Sequence, residues 1–218
     1  MKKVKHEESS SDSTMPQWLA WARELQALSQ IGLTFSNDDY DSIRYHRLRE
    51  IAAEIIQTHA GLPKDKVLDS FQIQPGYATP KIDVRGAIFR DNRILLVQER
   101  SDENWCMPGG WADVGESPSQ MVVREVKEES GFHVAPVKVI GVFDANRDGR
   151  PLEFYHAYKI VFLCRIIGGE AQTSNETKGV EFFDFDNLPP LSWSRTNDRH
   201  LAEIQAHLQD PNRLAFFD

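Results

Sequence analysis

The stretch GGWADVGESPSQMVVREVKEESGF, residues 109–132, restricts the fold more than any other part of the chain. It begins in a glycine-rich turn, carries a full set of helix-start signals, and ends in a glycine that stops the helix. Ser117 can cap the first turn, Pro118 suits the first helical position, and Gln120 can return a bond to the cap. Gly131 suits the left-handed residue that closes a helix. At about 100° per residue, Val122, Val123 and Val126 share one sector and can anchor the helix to a sheet. Glu125, Glu128 and Glu129 share a neighbouring sector about 100° wide. Like charges at this spacing repel, so the arrangement calls for a positive partner.

The surrounding chain reads mostly as strand. KIDVRGAIF and RILLVQER flank the turn signal RDN and predict a hairpin. VAPVKVIGVFDA and FYHAYKIVFLCRII follow the helix, separated by the turn NRDGRP, and GVEFFDF is a last strand. SRTNDRHLAEIQAHLQ predicts a closing helix, capped by Ser194 or Thr196 and buried through Leu201, Ile204 and Leu208, with His200 and His207 on the surface. Strands with one helix in the middle and one at the end predict an α+β sandwich.

Helices precede the strands. Trp18, Leu19, Ala22, Leu25, Leu28 and Ile31 recur at helical spacing, with Gly32 as a stop. A second helix has Asn37 or Asp38 as cap, Ile43, Leu48, Ile51 and Ile55 as its stripe, and Gly61 as its end. KDKVLDSF suggests a third. So few helices bury little surface alone; they pack on a second copy of the chain, the preferred reading, or on its own main domain. The expected organisation is a disordered lead-in over 1–15, a helical domain over 16–72, a linker over 73–80, the main domain over 81–210 and a tail over 211–218.

With 218 residues, 40% of them hydrophobic, the chain can form one ordinary domain and an appendage. Its net charge of −8 argues against non-specific binding to nucleic acid or to an anionic membrane. A small anionic substrate is compatible with that charge if a cation accompanies it. Cys106 and Cys164 match no metal-ligand spacing and read as buried thiols of a reducing compartment. MKKVKHEESSSDST has no apolar core, and no apolar run approaches about 18 residues. The expected address is the cytoplasm.

Converging carboxylates are hard oxygen donors suited to Mg²⁺ or Mn²⁺. Arg124 can orient the neighbouring Glu125 by a paired hydrogen bond, and CMPGGWADVGE lets backbone approach an ion or a phosphate. Gly110, five residues, Glu116, seven residues, then REVKEESGF is the signature of the Nudix hydrolases, and the chain resembles that family over roughly residues 80 to 210. Gly110, Glu116, Arg124, Glu125, Glu128, Glu129 and Gly131 fill the fixed positions; Val126 and Phe132 fill the apolar ones.

The resemblance implies the Nudix fold, a mixed β-sheet sandwiched between helices, here with a small all-α N-terminal domain. It implies metal ligation by Glu125 and Glu129, with Glu128 as a further ligand or the water activator. A carbonyl of Gly109 or Gly110 would complete the coordination, and Glu116 and Arg124 would orient the ligands. The implied reaction is attack of a metal-activated water on the diphosphate of a nucleoside diphosphate joined to a group X. The catalytic base lies on this helix in some members and on a later loop in others; here that loop offers Glu170 and Glu176.

The helices ahead of VRGAIF and NWCMPGGWADVGES resemble the subfamily that hydrolyses ADP-ribose or CDP-choline. Substrate contacts are expected outside the signature, at Arg85, Asp144, Asn146, Arg147, His156, Trp193 and Arg195. Phe154, Tyr155, His156 and Tyr158 alternate along one strand and can offer aromatic faces to a base or a quaternary ammonium. A pyrophosphohydrolase of nucleoside triphosphates and a non-catalytic nucleotide sensor are the competing readings. The complete glutamate set and N-terminal helices that are not notably basic disfavour the sensor.

Overall fold

A computed structural model describes residues 16–71, 77, 79–113, 115–145 and 156–218. These form two compact units, one running to residue 79 and the other built from residues 80–145 and 156–218. The expected lead-in, most of the linker and the turn NRDGRP lie outside the described residues.

The first unit is helical: α1 (Gln17–Phe35), α2 (Asp39–Ala60) and α3 (Lys64–Phe71). Asp38 caps α2 by accepting the Tyr40 N–H at 2.9 Å, and Gly61 closes it at φ +69°. Two expectations need correction. Gly32 does not stop α1, which runs on to Phe35; instead its bare Cα faces the Tyr45 ring, where a side chain would collide. The buried stripe of α2 is Ala52, Ala53 and Ile56, while Ile43 is exposed. Small residues let α2 meet Ala22 of α1 closely, and Ser29 of α1 donates to Tyr45 O at 2.7 Å.

The second unit contains β1 (Lys81–Arg90), β2 (Arg93–Glu99), β3 (Trp105–Cys106), α4 (Pro118–Ser130), β4 (Phe132–Asp144), β5 (Ala157–Gly169), β6 (Thr177–Phe183), α5 (Asp198–Gln209) and β7 (Phe216–Phe217). β1 and β2 form the predicted hairpin, with Asp91 and Asn92 both at positive φ as a tight two-residue turn demands. The sheet is mixed. β1 runs parallel to β5 with Asp83 opposite Lys159; β5 is antiparallel to β4; and β4 is parallel to the short β7. β3 and β6 both pair with β2. The segment expected as a plain tail thus supplies a sheet edge.

Helices cover both faces. Met121, Val122 and Val126 of α4 pack with Val84, Ile88 and Phe132 on one side. Leu201 and Ile204 of α5 pack with Ile140, Phe143 and Val161 on the other. Each such side chain contributes about 1.5–3 kcal/mol by leaving water. The cap of α5 is Asn197, not Ser194 or Thr196: its side chain accepts the His200 N–H, and the Thr196 hydroxyl instead accepts the Met107 N–H at 2.8 Å. Leu201 and Ile204 are buried as expected, but the rest of the buried face is His200 and His207, and Leu208 is exposed. Among the described residues no helix is long and apolar enough to cross a membrane.

Candidate active site

The local sequence builds α4 as its signals predict. Ser117 and Gln120 exchange both bonds of a capping box, Pro118 opens the helix, and Gly131 ends it at φ +78°. Val122 and Val126 lock the helix to the sheet, and that rotation aims Glu125 and Glu129 toward the loop after β3. The Gly109 N–H donates to Glu129 Oε2 at 2.8 Å. Gly109 sits at φ +144°, and a Cβ there would strike the Val84 carbonyl oxygen. A Cβ on Gly110 would stand 3.1 Å from the Glu125 carboxylate. Only glycines allow this loop to lie against both glutamates.

Arg124 is the hub of the outer side. Its Nη2 reaches Glu116 Oε2 and Asp113 Oδ2 at 2.9 Å each, and its Nη1 reaches Glu128 Oε2 at 2.9 Å and Glu125 Oε1 at 3.1 Å. Hydrogen bonds to Glu116 are the largest of the effects that raise its pKa. On the inner side Arg85 is buried and holds Asp83 with two bonds of 2.8 and 3.1 Å, while Nη1 donates to Met107 O at 3.1 Å. Burial works against this charge, but Asp83 and the neighbouring acids outweigh it and keep Arg85 cationic.

Two loops close the cleft. Gln172 N–H donates to Ser130 O at 3.0 Å and Thr177 Oγ1 to Glu129 O at 2.9 Å, which brings Ser174, Asn175 and Glu176 over the end of α4. Buried Lys159 donates to Ser194 O and Arg195 O at 2.7 Å each. Arg195 then contacts the Ser192 hydroxyl at 2.9 Å, Asp102 at 3.3 Å and Glu99 at 3.4 Å. The cleft has a volume of about 510 Å³, in the range of small-ligand sites.

Burial dominates the electrostatics of the two inner glutamates. It pushes Glu129 up to about 8, despite Arg85 and the Gly109 hydrogen bond. It raises Glu125 too, against the pull of Arg124. A buried carboxylate held so far above its usual range is one that a nearby cation would stabilise in ionised form. Hard oxygen donors beside glycine backbone fit a divalent ion such as Mg²⁺. Among the described residues no three His, Cys, Asp or Glu side chains are gathered closely enough to hold an ion as they stand; Arg124 is the positive group set among Glu116, Glu125 and Glu128. Gly110 O accepts the Val84 N–H at 2.9 Å, which leaves it one lone pair for another partner.

Of the residues singled out from the sequence, Arg85, Gly110, Arg124, Glu125, Glu128, Glu129, Glu176 and Arg195 line one cleft, and Glu116 supports it through Arg124. Asp144 and His156 do not line it; they lie 3.6 Å apart at the β4–β5 end of the sheet. Trp193 also lies outside the lining, and Asn146, Arg147, Phe154 and Tyr155 lie outside the described residues. Sequence reasoning missed Glu99, Trp111, Asp113, Ser174 and Asn175 as lining residues. Glu99 ends an apolar strand whose pattern gives no cue to a functional acid. Trp111 and Asp113 stand inside the glycine-rich turn, where no spacing marks either side chain.

A mixed sheet between helices, with acids of one capped helix against a double-glycine turn, defines a class of hydrolase fold, and comparison with known proteins specifies it. The family profile described as NUDIX domain matches residues 79–204, and that described as UDP-X-like, N-terminal oligomerisation domain matches residues 16–71. The Bacillus subtilis (strain 168) protein YjhB, provisionally named an ADP-ribose pyrophosphatase, is 41% identical over 92% of this chain and 97% of its own length. A crystal structure of an ADP-ribose pyrophosphatase from Streptococcus suis 89-1591 is 39% identical over 64% of this chain and all of its own, with a TM-score of 0.59. A crystal structure of a UDP-X diphosphatase is 30% identical over 95% of this chain and all of its own, with a TM-score of 0.61. The chain belongs to the Nudix hydrolase family.

Proposed function

We propose that this protein hydrolyses the diphosphate bond of a nucleoside diphosphate joined to a sugar-like group, with ADP-ribose as the leading substrate, and that it uses Mg²⁺, with Mn²⁺ as a substitute. The observation that carries the reading is the two-sided charge of the cleft: Glu125 and Glu129 on one helix, with Arg85 and Arg195 in the same cavity. Acids that hold cations and guanidinium groups that take phosphate oxygens together suit a bridging diphosphate. The names of the relatives favour ADP-ribose or a UDP-linked substrate over CDP-choline.

Glu125 and Glu129 would hold the metal, with Glu128 and a Gly110 or Gly109 carbonyl adjacent. Bound there, the ion neutralises phosphate charge and lowers the pKa of water. Arg124 fixes the orientation of Glu125 and Glu128 through its shared contacts. Arg195, held by Ser192, Asp102 and Glu99, presents a fixed guanidinium to a phosphate oxygen. Glu176 is the better base. Glu128 is committed to Arg124 at 2.9 Å, whereas among the described residues the Glu176 carboxylate has no cationic partner and can take the proton of the attacking water.

We also read the helical unit as a homodimer contact. It exposes Trp21, Leu28, Phe35 and Ile43, and its profile is described as an oligomerisation domain.

The test is hydrolysis of ADP-ribose, a UDP-linked sugar, CDP-choline and a set of nucleoside triphosphates side by side with Mg²⁺ or Mn²⁺, with products identified. The expected outcome is AMP and ribose phosphate from ADP-ribose at the highest kcat/KM. Preferential release of pyrophosphate from triphosphates would favour the housecleaning reading instead.

A further inference from the structure

Trp111 is the one aromatic side chain among the described residues lining the cleft. It is also 43% exposed, which is unusual for an indole. Its backbone is nonetheless pinned. Residue 111 forms a bridge to Asp83; the preceding carbonyl, of Gly110, accepts the Val84 N–H at 2.9 Å; and the Ala112 N–H donates to Ile82 O at 2.8 Å. The ring therefore stands on a rigid segment, one residue from the glycine on which a side chain would crowd the Glu125 carboxylate. A large aromatic on a fixed backbone offers contact area at low entropic cost, since only two torsions need ordering.

The ammonium of Lys81 lies 5.7 Å from the ring centroid. A cation at one side draws on the π electrons and repels a second cation, so a trimethylammonium group is a poor partner for this ring. A neutral, flat π system is a good one, because stacking needs no charge. In a nucleoside diphosphate linked to X, the nucleobase is that group.

We infer that Trp111 is the stacking platform for the nucleobase of the substrate, with Lys81 biasing the ring against a quaternary ammonium. The inference rests on the reading of the cleft as a nucleoside-diphosphate site and adds the residue that reads the base. Catalysis itself does not pass through Trp111, so its loss weakens substrate binding and leaves the chemical step in place.

The experiment compares Trp111→Ala and Trp111→Phe with the wild type in two measurements. In steady-state hydrolysis of ADP-ribose, the alanine variant is expected to raise KM roughly 5- to 150-fold, the equivalent of about 1–3 kcal/mol for one stacked base. Its kcat should stay within about threefold, and the phenylalanine variant should recover most of the loss. In fluorescence titration, AMP should quench wild-type tryptophan emission and lose that quench in Trp111→Phe, while choline chloride leaves both unchanged. An unchanged KM in Trp111→Ala, or an equal AMP quench in wild type and Trp111→Phe, overturns the inference while hydrolysis stands. Quenching by choline as strong as by AMP overturns it too. A wild type that cleaves no diphosphate-linked substrate, yet shows the Trp111-dependent AMP quench, sinks the proposed activity and supports the base platform.

Discussion

Gly109 donates its backbone N–H to the buried carboxylate of Glu129 at 2.8 Å, which ties the glycine turn to the last turn of α4. The bond joins a strained glycine to a buried acid. Gly109 adopts a φ of +144° that other residues rarely tolerate, and Glu129 is only 5% exposed.

The two neighbouring glycines should therefore fail differently. Gly109→Ala combines backbone strain with a collision against the Val84 carbonyl and is expected to cost about 2 kcal/mol or more in chemical unfolding. Gly110→Ala places a methyl 3.1 Å from the Glu125 carboxylate, so it should spare the fold while displacing that acid and lowering kcat about tenfold or more. Parallel unfolding curves and kinetics of the two variants check this.

His200 gives the fold a pH dependence. Its ring is buried beside Phe143, with Nδ1 accepting the Asn197 N–H. Burial, then the charges of Lys159, Arg199 and Arg85, hold its pKa well below 6.5. The unfolded chain, with a histidine pKa of about 6.5, binds the extra proton first. The stability is complete above that value and is lost as pH falls toward the folded pKa, at up to about 1.4 kcal/mol per pH unit. Urea unfolding between pH 7.5 and 5 should show a steeper loss for the wild type than for His200→Gln, which keeps a residue able to close the capping box. Parallel slopes would exclude His200 as the source.

Removal of residues 1–75 should abolish self-association and leave a monomer with residual hydrolysis. The helical unit has its own core around Ala22, Ala52, Ala53 and Ile56, and the apolar residues it exposes are those a partner would cover. Sedimentation of the full chain and the truncated one decides it; the same oligomer in both would move the interface to the Nudix domain.

The central helix was fully legible in the sequence because its signals are local. Ser117, Pro118, Gln120 and Gly131 act within one turn of the helix ends, and the structure uses each as expected. What local signals could not reveal was decided by tertiary partners. Thr196 looks like a helix cap until Met107 takes its hydroxyl. Gly32 looks like a stop until the Tyr45 ring explains it as a close approach. His200 looks like a surface residue until Phe143 and the α5 cap enclose it. Arg124, Glu125, Glu128 and Glu129 share one helix and could be grouped by spacing. Glu99 and Arg195 lie 96 residues apart in the numbering and meet only through the sheet and the loop that Lys159 holds.

The proposed hydrolysis depends above all on Glu125 and Glu129 holding a divalent cation. Manganese binding followed by electron paramagnetic resonance, with ADP-ribose hydrolysis in the same samples, tests this in the wild type and in the Glu125→Gln, Glu129→Gln double variant. We expect the double variant to lose tight Mn²⁺ binding and about 100-fold or more in turnover, with an unfolding midpoint close to that of the wild type, since glutamine keeps the side-chain shape and an oxygen for the Gly109 N–H. Undiminished Mn²⁺ binding and turnover in the double variant would contradict the account.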